Sequence, residues 1–386
     1  MRRSSGFTLI EVMISGLILA FVIAGISGVI VAQGQASVTQ VQQRDIESNA
    51  RLAGMEIGRS IRMAGYGINP LAAFDFDRYG CTTPGTSTTC PNGGRDRIAG
   101  PDELVVSWRD PLFSRNATTI AGSGPWTVTL NTALTAALTG GRIVQMLCLG
   151  AEPSVYLALN GDTAVGATQL VLRALVPADG YYTGLTTAGA LNTTPSNTCF
   201  GTATVMLVER VRYFIANDTD GTSSLFKERG RGANELLYRN IEDLQFQYTI
   251  GPPPTGFVAP QPACGGTSWI FGSCATAGTP PESAAAPVWI SDNYVSLNRY
   301  TGHPANIRNV DIFVVGRASL KARDNTAGDG VPLLGNRPAR PADGYHRTVV
   351  GISEQPMNLL GRAHFLPPVY GSGAINDPNS GNAGGG

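Results

Sequence analysis

The rhythm of hydrophobic and polar positions changes three times along this chain. From Phe7 to Ala32 the residues are apolar or small almost without interruption, and the only charge is Glu11. As a helix rising about 1.5 Å per residue, that stretch is about 39 Å long, enough to cross a hydrocarbon core of about 30 Å. From Gln33 the pattern stays helical but becomes one-sided. Val38, Val41, Ala50, Ala53, Ile57, Ile61 and Ala64 recur mostly at three- and four-residue steps, while Arg44, Glu47, Arg51, Arg59 and Arg62 fall largely on other faces. Ile46 fits this stripe less well. No proline intervenes before Pro70, and Gly65-Tyr66-Gly67 offers a stop, so the pattern predicts one helix of about 55–60 residues, half in a membrane and half on a globular head. Two helices broken near Gly34 are the alternative.

Beyond residue 70 the punctuation turns to Gly, Pro, Thr and Asn clusters between short alternating runs, which predicts a β-rich head. Candidate strands are Leu104–Trp108, Trp126–Leu130, Arg142–Leu147, Val205–Ile215, Leu244–Ile250 and Val310–Val314. Along the fourth, Val205, Leu207, Val211, Tyr213 and Ile215 share one face, and Asn217-Asp218-Thr219-Asp220-Gly221 reads as a turn into Leu225-Phe226-Lys227. The fold class expected is therefore α+β, a long N-terminal helix packed on a β-rich head with long loops. Its parts are a leader (1–6), a transmembrane helix (7–32), an amphipathic helix (33–66), the head (67–370) and a Gly/Asn/Ser tail (371–386) expected to lack a fold.

Composition narrows the class further. Lys+Arg and Asp+Glu balance at 28 each, which argues against nucleic acid as a direct partner. The three histidines, His303, His346 and His364, lie far apart, and the six cysteines form no Cys-x-x-Cys, so no metal centre or cofactor site is expected. Gly230-Arg231-Gly232 lacks the third glycine of a dinucleotide loop, and Gly122-Ser123-Gly124 is not a nucleophile elbow. Asp218-x-Asp220-Gly221 has the look of a calcium loop, but Ala216 and Lys227 stand where carboxylates are needed. Arg95-Asp96-Arg97, Arg229–Arg231 and Arg337–Arg340 read as solvated basic loops. With no constellation of acid, base and nucleophile, catalytic residues are not expected. An even number of cysteines suits an oxidised, exported head, and three sequential disulfides are expected: Cys81–Cys90, Cys148–Cys199 and Cys264–Cys274. Six cysteines allow fifteen pairings, and the short gaps favour local loop closure.

The N-terminus carries the most specific signal. Arg2 and Arg3 keep the leader in the cytoplasm and send the remainder outward. A secretory signal peptide is the alternative, but its apolar region runs only about 7–15 residues. Glu11 needs a partner or a proton inside an apolar span, unless it lies close enough to the interface to reach water. Gly16, Ala20, Ala24, Gly28 and Ala32 make an i+4 ladder of small residues that would let another helix come close.

Gly6 followed by Phe7-Thr8-Leu9-Ile10-Glu11-Val12 resembles the processing site of type IV prepilins and pseudopilins. The resemblance implies cleavage between Gly6 and Phe7 by a membrane prepilin peptidase and N-methylation of Phe7. It makes Glu11 the assembly residue, paired with the Phe7 amine of a neighbouring subunit. Arg51–Tyr66, Val211–Ile215 and Leu236–Tyr248 resemble the PilW-type minor pilins. That implies a protein of the inner membrane, single-pass with its head outside the cytoplasm, that enters a cell-surface pilus. Its expected partners are prepilin peptidase, other minor pilins and the major pilin. The function implied is priming of pilus assembly in support of twitching motility, adhesion or DNA uptake. A type II secretion pseudopilin, or a tip adhesin or DNA receptor on a pilin anchor, are the alternatives.

Overall fold

Thr8 starts the long helix, its backbone extended and its side chain accepting from the Glu11 N–H. The computed structural model describes residues 8–74, 100–148, 154–175, 195, 203–230, 234–250, 270–271, 307–321, 328–335 and 337–361. Within them α1 (Leu9–Met63) runs 55 residues through Gly16, Gly25, Gly28 and Gly34 without a break, about 83 Å at the usual rise. It ends where Gly65 and Gly67 take left-handed backbone, at φ of 77° and 64°. There the chain turns into a 3-10 turn (Pro70–Ala72) and a bridge from Phe74 to Val106.

Only the last third of α1 meets the head. Ile46, Ala50, Ala53, Ile57, Ile61 and Ala64 are at most 2% exposed. Val38 and Val41, expected to belong to this stripe, are exposed, and Ile46, which fitted poorly, is core. The reason is rotation: the buried face is the one centred on Ile57, and Ile46 lies eleven residues, about three turns, before it. Two glycines let the helix descend onto the sheet. A Cβ on Gly54 would sit 2.5 Å from Ile352 Cδ1, and one on Gly58 would sit 2.9 Å from Glu354 Cγ.

Twelve strands are described. β1 (Leu104–Ala121), β2 (Trp126–Leu130), β3 (Ile143–Cys148), β4 (Val155–Leu159), β5 (Gln169–Ala174), β6 (Ala203–Asn217), β7 (Ser223–Arg229) and β8 (Glu235–Arg239) form one sheet in the order β1-β2-β5-β4-β3-β6-β7-β8. β9 (Ile241–Ile250), β10 (Ile270–Phe271), β11 (Ile307–Lys321) and β12 (Tyr345–Glu354) form a second, ordered β10-β9-β11-β12. A short helix, α2 (Met357–Leu360), follows, and its Leu359 joins the helix-backed core.

The first sheet closes on itself. β1 pairs with β2 over Ala117–Ala121 and with β6 over Leu104–Ala117, so β1-β2-β5-β4-β3-β6 is a complete antiparallel ring. The closure depends on a register shift between Arg109 and Ser114, an irregularity that bends β1 out of the open sheet and into the ring. Val128, Val144, Leu157, Leu172 and Leu207 fill the interior together with their neighbours. Thus the single alternating face of β6 serves two cores. Val205 and Leu207 belong to the ring, and Val211 and Tyr213 belong to the core under α1. β4 went unread because all five of its residues are buried, leaving no alternation to see. Its outer side chains Tyr156 and Ala158 pack with Ile68 and Ala72 just after the helix, and Tyr156 Oη accepts from the Asn69 N–H at 2.7 Å.

Candidate functional site

The candidate site is the free part of α1, and its placement depends on how firmly the other part is held. Ser60 Oγ lies 2.8 Å from the Tyr213 hydroxyl, and Lys227 Nζ donates to Glu56 Oε1 at 2.5 Å. Burial acts to raise the Glu56 carboxyl, but the Lys227 hydrogen bond and charge, with Arg59 and Arg229 nearby, outweigh it and hold the group below its ordinary value. On the opposite flank Arg62 Nη1 reaches Glu354 at 3.2 Å. These contacts fix the rotation of the helix about its axis, and the buried stripe running from Ile46 to Ala64 holds the axis itself against the head.

From Thr8 to Gly34 every residue is exposed, and this segment is long and apolar enough to cross a membrane. Gly6 and Phe7 lie outside the described residues. Glu11 sits on the first turn and closes a capping box. Its Oε2 accepts from the Thr8 N–H at 3.0 Å and from the Thr8 hydroxyl at 2.9 Å, while Thr8 Oγ1 takes the Glu11 N–H. The carboxylate thus has a partner in its own chain, which the sequence reading overlooked although Thr8-x-x-Glu11 spells the capping pattern. What that box leaves unmet is the charge, since Thr8 supplies hydrogen bonds but no cation.

The small-residue ladder lies wholly on the free segment. A Cβ at Gly16 or Gly28 would meet nothing within 4 Å. At 3.6 residues per turn a four-residue step advances the position by about 40°, so Gly16, Ala20, Ala24, Gly28 and Ala32 trace a winding groove rather than a straight strip. A helix packed along it would have to cross α1 at an angle.

The remaining candidates resolve into ordinary structure. Asp218 and Asp220 form the β6–β7 turn, and both carboxylates bond Arg239, at 2.7 and 3.2 Å. Among the described residues no group of His, Cys, Asp and Glu is arranged to hold a metal. Arg337 and Arg340, expected to be solvated, are not. Arg337 meets Asp243 at 2.6 Å, and Arg340 bridges Asp243 and Glu242 at 3.0 Å each. Arg347 joins Glu242 to Asp343, whose carboxyl its hydrogen bond pulls down to about 2. The counter-charges lie nearly a hundred residues earlier in the chain, where a local reading could not find them. Arg95–Arg97 lie outside the described residues, as do His303 and His364, while His346 contacts Asp329 at 3.1 Å. Cys148 is disulfide-bonded, and the other five cysteines fall outside the described residues.

Comparison with known proteins bears on the same segment. Residues 1–27 match the prokaryotic N-terminal methylation motif. The chain therefore joins that motif to a long helix and a strand-rich head, the layout in which it resembles type IV pilins. No curated protein matches the sequence. Among solved structures a type IV-like pilin from Thermus thermophilus is similar at 13% identity, over 57% of this chain and 86% of that one, with a TM-score of 0.18. A superposition that loose does not define a shared fold for the head.

Proposed function

We propose that this chain is a type IV pilin-like subunit, specifically a PilW-type minor pilin that helps prime assembly of a pilus near its tip. Prepilin peptidase cuts it between Gly6 and Phe7 and methylates the Phe7 amine. The apolar half of α1 first anchors the protein in the inner membrane with the head outside, then packs among the helices of other minor pilins and the major pilin. Glu11 attracts the Phe7 amine of a neighbour, and the Gly16–Ala32 ladder admits the neighbour's helix. The disulfides pair Cys148 with Cys199, Cys81 with Cys90 and Cys264 with Cys274.

The observation that carries this reading is the methylation motif, residues 1–27, running into a helix half that its own head leaves bare. Intact-mass measurement of protein extracted from membranes tests it. The expected product lacks residues 1–6 and carries one extra methyl group, whereas Gly6→Leu stays at full length. An uncut wild-type chain would defeat the proposal, and loss of pili from a deletion strain in electron micrographs would extend it to assembly.

The closed ring favours one other reading, a tip adhesin or receptor that borrows the pilin anchor. Its interior core is separate from the core under α1, so the ring is bulk that holding the helix does not require. Deletion cells that keep their pili and lose surface attachment would favour it.

A further inference from the structure

The edge of β12 is open in a way the other sheet edges are not. Among the described residues three strands end sheets: β8, the two-residue β10, and β12. β12 pairs with β11 on one side only. The Arg347 N–H donates to Asp329 Oδ2 at 3.1 Å and the Tyr345 carbonyl accepts from the Asp329 N–H at 2.8 Å, so odd-numbered residues turn their main chain away from β11. By the same alternation the N–H and C=O groups of Val349, Gly351 and Ser353 face outward, and no described residue bonds them. Asp329 closes the start of the edge, and among the described residues nothing pairs with Thr348–Ser353 on that side.

Sheets guard their edges with charge, proline or shortness. β8 does so: it is five residues long, charged at both ends, and its Arg239 carbonyl accepts from Asn49. The open run Thr348-Val349-Val350-Gly351-Ile352-Ser353 has no charge and no proline, and Val349 is 37% exposed. We propose that this edge receives an extended strand from a different protein subunit, which adds a fifth strand to the β10-β9-β11-β12 sheet.

The surroundings state the chemistry of that strand. Gly54 and Gly58 bring α1 down onto Ile352 and Glu354, and the next residues around the helix on that side are Arg51, Met55 and Arg62. Met55 is 56% exposed, Arg51 stands in an exposed pair with Glu47, and Arg62 reaches Glu354 of β12. Side chains of an added strand opposite Val350 and Ile352 would lie on the same face of the sheet as α1, toward these residues. An apolar residue against Met55 and an acidic one beside Arg51 match them, so the partner is a proline-free segment with apolar and acidic residues on one face. A second copy does not fit. Antiparallel pairing of β12 with itself has its two-fold axis normal to the sheet, which reverses α1, and two chains anchored in one membrane cannot point opposite ways. This step rests on the anchored reading given above. Of the other described edges of a second copy, β8 is charged at both ends and tied to Asn49, and β10 is only two residues long.

The test places a photoreactive p-benzoylphenylalanine at position 353 of the full chain in its native cells, with the crosslinked peptide mapped by mass spectrometry. The expected result is a crosslink to one extended segment of a different membrane-anchored subunit, lost on adding Val349→Pro, which removes an outward N–H and no β11 bond. Should Val349→Pro lower the melting temperature of the head, Val349→Lys, which charges the edge and keeps the N–H, takes its place. Crosslinks to residues 362–386 of the same chain, to a second copy, or at a yield indifferent to both substitutions would overturn the proposal. The mass of the N-terminus is read in the same samples. Processed, piliated cells without the crosslink sink this proposal alone, and an uncut chain that still crosslinks sinks the pilin reading alone.

Discussion

The two halves of α1 share one backbone and differ in everything around it. From Thr8 to Gly34 no residue is covered, although this half holds most of the large apolar side chains of the helix. From Ile46 to Ala64 the buried stripe consists of three isoleucines and small residues. Hydrophobicity alone therefore ranks the halves in the wrong order for burial within the chain. The glycines repeat the contrast. Gly16, Gly25, Gly28 and Gly34 stand in open space, whereas Gly54 and Gly58 sit where even a methyl group would collide with β12. What separates the halves is close approach: the head takes the half that lets it come near, and the bulky half is left bare.

Core truncation should show this contrast most strongly. Ile57 is fully buried, so Ile57→Ala is expected to cost the head about 2–5 kcal/mol, lost transfer energy plus the cavity left behind. Ile18→Ala, on the bare half, should leave the head's denaturant midpoint unchanged. Unfolding in urea, followed by tryptophan fluorescence in detergent, compares the two. Equal losses would mean that the bare half also packs on the head.

Filling the glycines comes next. Gly54→Leu must displace Ile352 and lift the helix from β12, with an expected loss of about 1–3 kcal/mol, while Gly28→Leu should cost the head nothing. The same urea series reads both.

That glycine pair also marks the limit of what the sequence could disclose. The helix was legible almost to its last residue, because composition and period are local. Ile46 was misjudged, and Gly54 and Gly58 drew no notice, since their meaning comes from Ile352 and Glu354 some three hundred residues later. β1 and β6 were recognised in part as strands, but along β6 the alternation continues while the core beneath it changes. Closure of the ring lives in the pairing of β1 with both β2 and β6, which no single segment expresses. Of the site, Glu11 was legible as an anomaly and its partner Thr8 was missed, though three residues away.

The carboxylates of the two halves allow a smaller test by pH. Because Glu56 is held below its ordinary value of about 4.5, the stability it contributes is fully present above that pH and is lost as pH falls through the folded-state value. Wild type should therefore exceed Glu56→Gln in stability at pH 7, and the difference should shrink steadily below about 4.5. A gap between the two melting curves that stays constant down to pH 3 would show that the Lys227 contact works through packing rather than charge.

Glu11 should affect the head least of all. It lies 35 positions before Ile46, about 52 Å along the helix, so Glu11→Ala is expected to leave the melting curve of the head untouched. Removing the side chain opens the capping box and frays the first turn, but the cut proposed between Gly6 and Phe7 precedes Thr8 in the chain, so processed protein should accumulate normally in the membrane. The expected defect is in assembly, with little mature protein recovered in sheared pili. Two further variants separate the box from the charge. Glu11→Gln keeps an oxygen for the Thr8 N–H and hydroxyl and loses the charge, and Thr8→Val keeps the charge and loses the hydroxyl. If the charge attracts a neighbour's Phe7 amine, Glu11→Gln fails like Glu11→Ala and Thr8→Val assembles. Assembly by Glu11→Gln and failure by Thr8→Val would make Glu11 a helix cap and nothing more, and the pairing with Phe7 would have to be abandoned.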